Sequence, residues 1–125
     1  RIHTGTHFGS PPACAAALAT IEALRARDLP ARAREVGDVW RSELQAACGE
    51  AAVVRGAGLM VGVALPSSID PLAVARELLA RGFIVLTGGA RGDALTLSPP
   101  LTIEPSLLRA FTDALAETIR KRRPG

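Results

Sequence analysis

Ala52-Val53-Val54-Arg55-Gly56-Ala57-Gly58-Leu59-Met60-Val61-Gly62-Val63-Ala64-Leu65 reads as two extended segments joined by a glycine turn. The paired valines favour a pleated conformation, and two glycines within three residues allow a tight reversal. The spacing predicts a short strand over 52–55, a turn over 56–58 and a second strand over 59–65. That second run is almost wholly apolar, so it belongs at the centre of a sheet rather than at its edge. Gly62 inside the run marks a place where a neighbouring element comes close. Pro66-Ser67-Ser68 ends it.

Upstream of this hairpin the pattern is helical. Pro11 and Pro12 suit a first helical turn, where their missing N–H groups cost nothing. Residues 13–26 then carry Cys14, Ala17, Leu18, Ile21 and Leu24 on one face. Asp28-Leu29-Pro30 breaks the run, and a second helix over 31–48 places Val36, Val39, Trp40, Leu44 and Ala47 on a stripe before Gly49 stops it. Downstream, Asp70-Pro71 opens a helix through Arg81 with Leu72, Ala75, Leu78 and Leu79 buried, closed by Gly82. Phe83–Leu86 is a strand, Thr87–Asp93 a mobile glycine-rich loop, and Ala94–Leu97 a strand of alternating character. A last helix over 105–120 sets Leu108, Phe111, Leu115 and Ile119 on its core face. The order loop, α, α, β, β, α, β, β, α predicts an α+β fold, with a small, mostly antiparallel sheet of three to four strands covered by helices on one side.

The chain has 125 residues, enough for one domain with its own core. Hydrophobic residues make up 48% and aromatics 3%, so that core is built from Ala, Leu, Val and Ile. Trp40 and Met60 are expected inside it. No apolar run approaches the ~20 residues of a membrane span, and Arg1-Ile2-His3 resembles no signal peptide, so a cytoplasmic protein without a membrane partner is expected. Cys14 and Cys48 lack metal-type spacing and read as buried free thiols, and His3 and His7 lack a third ligand, so no metal site is expected. The net charge of +3 is spread along helices among acidic residues. Arg120-Lys121-Arg122-Arg123 is the exception. Without interleaved aromatics it reads as cations at a helix C-terminus fraying into a tail, not as a nucleic-acid patch.

His3-Thr4-Gly5-Thr6-His7-Phe8-Gly9-Ser10-Pro11-Pro12-Ala13-Cys14-Ala15 is a loop of small residues and hydroxyls feeding a helix N-terminus, which suits an anion such as phosphate. It resembles a segment of the class III aminotransferases, which use pyridoxal phosphate. Two more stretches extend the resemblance, Arg55-Gly56-Ala57-Gly58-Leu59-Met60-Val61-Gly62 and Leu95-Thr96-Leu97-Ser98-Pro99-Pro100-Leu101-Thr102-Ile103. The resemblance implies pyridoxal 5'-phosphate as cofactor in the intact enzyme. It implies an amino donor and a 2-oxo acid as substrates, and a homodimer in which Thr6 reaches the phosphate of the neighbouring subunit's cofactor, with Gly5 allowing close backbone approach. It divides the chain into a phosphate loop over 1–10 and, over 11–125, a C-terminal small domain like that of fold-type I pyridoxal-phosphate enzymes.

In that family the cofactor is held by a lysine, and Lys121, in a charged terminal run, does not suit the role. The resemblance therefore implies that the Schiff-base lysine lies before Arg1, in a large domain, and that this chain alone is inactive, with no catalytic residue of its own. Thr96 departs from the family's usual arginine, which pairs with a substrate carboxylate, and Arg91 in the neighbouring loop is the expected substitute. Arg55, beside the Gly-x-Gly turn, reads either as an anion contact or as a hydrogen-bonding brace for the turn, with the brace preferred. A non-catalytic ferredoxin-like module that binds small molecules or partners shares the same order of elements and is the alternative.

Overall fold

The computed structural model describes residue 5 and residues 8–122. Helix α1 spans Pro11–Ala26 and α2 spans Leu29–Cys48, followed by a 3-10 turn over Gly49–Ala51. Then come β1 (Val53–Ala57), β2 (Met60–Ala64), α3 (Pro71–Ala80), β3 (Leu86–Gly88), β4 (Ala94–Leu97) and α4 (Pro105–Arg122). The four strands form one sheet in the order β1-β2-β4-β3, with every neighbouring pair antiparallel. β2 is central, as its apolar run requires. The chain leaves it through α3, reaches the far edge at β3, and turns back to insert β4 between β2 and β3.

One sheet face is covered and the other is open. Val61 pairs with Leu97 and Val63 with Leu95, and all four are buried against the helices. The alternate residues, Met60, Gly62 and Ala64 on β2 and Ala94 and Thr96 on β4, point away from them. Leu44 on α2, Leu78 on α3 and Leu115 and Ile119 on α4 complete the covered side and are almost fully buried. Each such side chain contributes about 1.5–3 kcal/mol. Around Phe111, Trp40 and Phe83 stand edge-on at centroid distances of 6.2 and 5.5 Å. The Trp40 Nε1–H donates to Thr112 Oγ1 at 3.1 Å, and that hydroxyl donates to Leu108 O at 2.9 Å, so the polar atoms inside this core are paired.

The buried face of α2 differs from the expected stripe. It runs through Leu29, Ala33, Gly37, Trp40, Leu44 and Cys48, while Val39 is 60% exposed and Ala47 also faces solvent. The reason is steric. A Cβ at Gly37 would stand 2.1 Å from Gly58 O, so α2 rests its smallest residues directly on the hairpin turn. The close approach expected at Gly62 therefore occurs at Gly37, and a Cβ at Gly62 would meet nothing nearer than 3.9 Å. The turn itself lies at Gly58-Leu59, with Ala57 opposite Met60 and Gly58 at φ +54°. Its brace is Arg41, whose Nη1 donates to Gly58 O at 3.0 Å and whose Nη2 pairs with Asp38. Arg55 is exposed.

Other boundaries shift for local reasons. β3 begins at Leu86, because Phe83 and Val85 pack on the core and the Phe83 N–H donates back to Leu78 O at 2.9 Å. α3 is capped as expected, Asp70 Oδ1 accepting the Leu72 N–H at 2.9 Å, but it buries Val74 and Leu78 and leaves Leu72 and Leu79 exposed. Met60 is 69% exposed on the open face, not a core residue. The end of α4 is not frayed at Arg122. Its guanidinium pairs with Glu77 on α3, and Thr118 Oγ1 donates to Glu77 at 3.1 Å, which together hold that carboxyl below its ordinary value. Arg123 lies outside the described residues.

α1 has no buried residue and contacts only α2 among the helices and strands it meets substantially. Cys14 is thus an exposed thiol, contrary to expectation, because no described element of this chain covers α1's apolar face. Cys48 is buried, and burial pushes its thiol up to about 11. Among the described residues no helix is long and apolar enough to cross a membrane.

Replacing Gly37 with alanine should force α2 off the hairpin. Because the clash is with backbone, we expect a loss at the upper end of the 1–3 kcal/mol typical of overpacking. Urea unfolding of the two proteins measures it, and equal midpoints would show that α2 shifts freely.

Candidate functional site

Two regions hold the residues that sequence reasoning singled out. The first is the loop before α1. Thr6, His3 and His7 lie outside the described residues. Gly5 is described and exposed, and its carbonyl accepts the Phe8 N–H at 3.1 Å. Gly9 turns the chain at φ +71°, and Ser10 leads into α1 with Pro11 and Pro12 in the first turn. Among the described residues no side chain caps this helix, and no acidic residue lies in its first turn.

The second region is the open sheet face and the loop over 89–93 that joins β3 to β4. The Leu65 N–H donates to Asp93 O at 2.9 Å, tying this loop to the end of β2. Arg91 projects into solvent, its side chain 87% exposed, and its Nε and Nη2 donate to Asp93 Oδ2 at 3.0 and 2.9 Å. The guanidinium holds the Asp93 carboxyl below its ordinary value. Thr96 lies on the open face two residues beyond Ala94, and its Oγ1 occupies the space a side chain at Gly88 would need, 2.4 Å from an ideal Cβ. No hydrogen bond joins Arg91 to Thr96.

Behind Thr96 the chain turns through Pro99-Pro100 and forms the wall of a groove of about 540 Å³ lined by Phe83, Leu86, Thr96, Pro99 and Leu107. This turn is held from α2. Arg32 donates from Nη1 to Leu101 O and from Nη2 to Ile103 O, the latter at 2.6 Å. Nothing in the hydrophobic pattern marks Arg32, which stands among other helix arginines in sequence. Arg41 was missed for the same reason.

The match that decides the family is to the description Aminotransferase class-III, and it covers residues 1–119. The chain belongs to the class III aminotransferases. The 4-aminobutyrate aminotransferase of Mycobacterium tuberculosis is 41% identical over 119 residues, covering 87% of this chain and 26% of that protein. The mitochondrial ornithine aminotransferase of Drosophila melanogaster is 31% identical over 118 residues, covering 94% of this chain and 27% of that protein. The solved ornithine aminotransferase of Toxoplasma gondii, in which pyridoxal phosphate partly occupies the active site, superposes with a TM-score of 0.78 at 29% identity. It covers 96% of this chain and 29% of that one. The chain thus spans less than a third of the length of each of these class III relatives.

Within this class III chain, Arg32 is the residue that fixes the segment after β4. Arg32→Ala should cost about 1.5–3 kcal/mol, the range for hydrogen bonds to a charged group. Thermal unfolding measures the loss, and amide exchange at residues 101–103 should rise in the variant. Unchanged exchange there would place the segment's anchor elsewhere.

Proposed function

We propose that this chain is the C-terminal part of a pyridoxal-phosphate-dependent aminotransferase, with residues 1–10 as its phosphate loop and residues 11–125 as its small domain. The intact enzyme moves an amino group from an amine or amino acid to a 2-oxo acid. The observation that carries this reading is the family match over residues 1–119, which takes in the loop before α1, the hairpin and the Pro99-Pro100 turn. Bound, the cofactor supplies the electron sink for the transfer.

The chain's own residues fit part of that cofactor. The loop before α1 is proposed to take a dianionic phosphate, with Thr6 and Gly5 as the contacts through hydroxyl and backbone N–H, and the first turn of α1, which begins with Pro11 and Pro12, brings no acidic side chain near it. The covalent attachment does not fit here. Lys121 Nζ is bound to Glu117 at 2.8 Å on the last turn of α4, so the large domain supplies the lysine. Leu18 and Ile21, exposed on α1, suit burial by that domain or by the second subunit of a homodimer. The exposed free thiol of Cys14 suits a reducing compartment such as the cytoplasm. Arg91 is proposed to meet the substrate's carboxylate at the rim of the sheet, which requires it to leave Asp93.

Two measurements test the reading. Given pyridoxal phosphate and an amino donor, the 125-residue chain alone should show no turnover, and borohydride should leave no stoichiometric adduct at a single residue. Either result, turnover or such an adduct, rejects the division of labour. In the intact enzyme, Thr6→Val should weaken cofactor retention by about 1–3 kcal/mol, the cost of a lost hydrogen bond to a charged group. Equilibrium dialysis reads it, and retention equal to the parent's removes Thr6 from the phosphate site.

A further inference from the structure

The sheet register brings together three residues that lie far apart in sequence. Arg55 pairs with Gly62 across β1 and β2, and Gly62 pairs with Thr96 across β2 and β4. The row continues to Leu86 on β3. Strands are about 4.8 Å apart, so Arg55 and Thr96 stand about 10 Å from each other on the open face with only Gly62 between. The space over Gly62 is empty, since a Cβ there would meet only the backbone oxygens of Arg55 and Leu95, at 3.9 and 4.0 Å. Ala64 and Ala94 continue the low floor, while Met60 and Leu86 rise beside it, 69% and 66% exposed.

Arg55 is the one described arginine on a strand, and it differs from the arginines that are already engaged. Arg41 is paired with Asp38, Arg81 with Glu117, Arg91 with Asp93 and Arg122 with Glu77. Arg32 is engaged by two carbonyls. Arg55 is exposed and forms no ion pair among the described residues, so its charge is available where the sheet faces outward. A guanidinium reaching over a side-chain-free glycine can place two parallel N–H donors against one carboxylate.

We propose that Arg55 is the substrate-binding cation of this chain, holding a carboxylate over Gly62 with the ligand's apolar stem against Met60 and Leu86. The ligand class is an amino or 2-oxo acid with an apolar chain. This inference deepens the aminotransferase reading and rests on it. Arg55 then carries the main charge, and Arg91, which must first give up Asp93, is a weaker second contact at the rim.

The test uses the intact enzyme and hexanoate, an unreactive carboxylate with an apolar chain, titrated by calorimetry at neutral pH. Arg55→Ala should weaken hexanoate about a hundredfold, as truncating one partner of a charge pair does, and Arg55→Lys should weaken it about tenfold by losing the fork. Gly62→Val, which fills the gap without touching the charge, should weaken it about as much as Arg55→Ala. Arg91→Ala should change it less than Arg55→Lys. Hexanoate binding by Arg55→Ala equal to the parent's, or a large loss confined to Arg91→Ala, overturns the inference. Loss of subunit association or of cofactor absorbance in Arg55→Ala and Gly62→Val alike also overturns it, since Arg55 is then structural. Transamination by the parent is assayed in parallel. A parent that transaminates while Arg55→Ala keeps its hexanoate affinity refutes only the role of Arg55, whereas a parent inactive with every donor refutes the aminotransferase reading and this inference with it.

Discussion

The approach of α2 to the hairpin at Gly37 and Gly58 is the constraint from which much of the rest follows. With no side chain at either place, a helix backbone lies against a turn backbone, and Ala33 and Trp40 on the same stripe are brought onto the covered face. Arg41 reaches from α2 to the Gly58 carbonyl and fixes the turn at Gly58-Leu59. The turn in turn fixes the pairing of β1 with β2. A slip of β1 by one residue would turn Arg55 onto the helix side and carry Val54 out into solvent, while Gly62 and Val63 on β2 stayed in place. The row on the open face is therefore a product of helix packing on the opposite side of the sheet.

Helices on one face only leave the sheet with two kinds of surface. The covered face is a core of Val, Leu and Ile with paired polar atoms. The open face mixes glycine and alanine with Arg55, Thr96 and the exposed apolar side chains of Met60 and Leu86, a composition suited to a partly desolvated contact rather than to plain solvent. The two surfaces are built from alternate residues of the same strands.

Much of this was legible in the sequence, and the misses share a cause. β4 falls at its expected bounds and α4 buries the expected Leu108, Phe111, Leu115 and Ile119, because in both the large apolar residues follow the element's own period. On α2 the period misleads, since the buried stripe contains Ala33 and Gly37, chosen for their smallness, and Val39 is displaced outward. Met60 reads as core in an apolar run whose alternation is hidden by Gly62 and Ala64. The family loop was visible as a motif, but the row joining Arg55 to Thr96 was not. It depends on register across three strands, and no local pattern encodes that. Among arginines, sequence does not distinguish Arg32 and Arg41, which hold carbonyls, from their solvated neighbours.

α1 has a different standing from the other helices. It is joined to α2 through Asp28, held at φ +41°, and it buries nothing within this chain. A helix of 16 residues with no fully buried side chain among the described residues is near the margin of stability in water, even when rich in alanine. Its order is consequently linked to whatever covers it, so assembly and the ordering of this segment form one equilibrium.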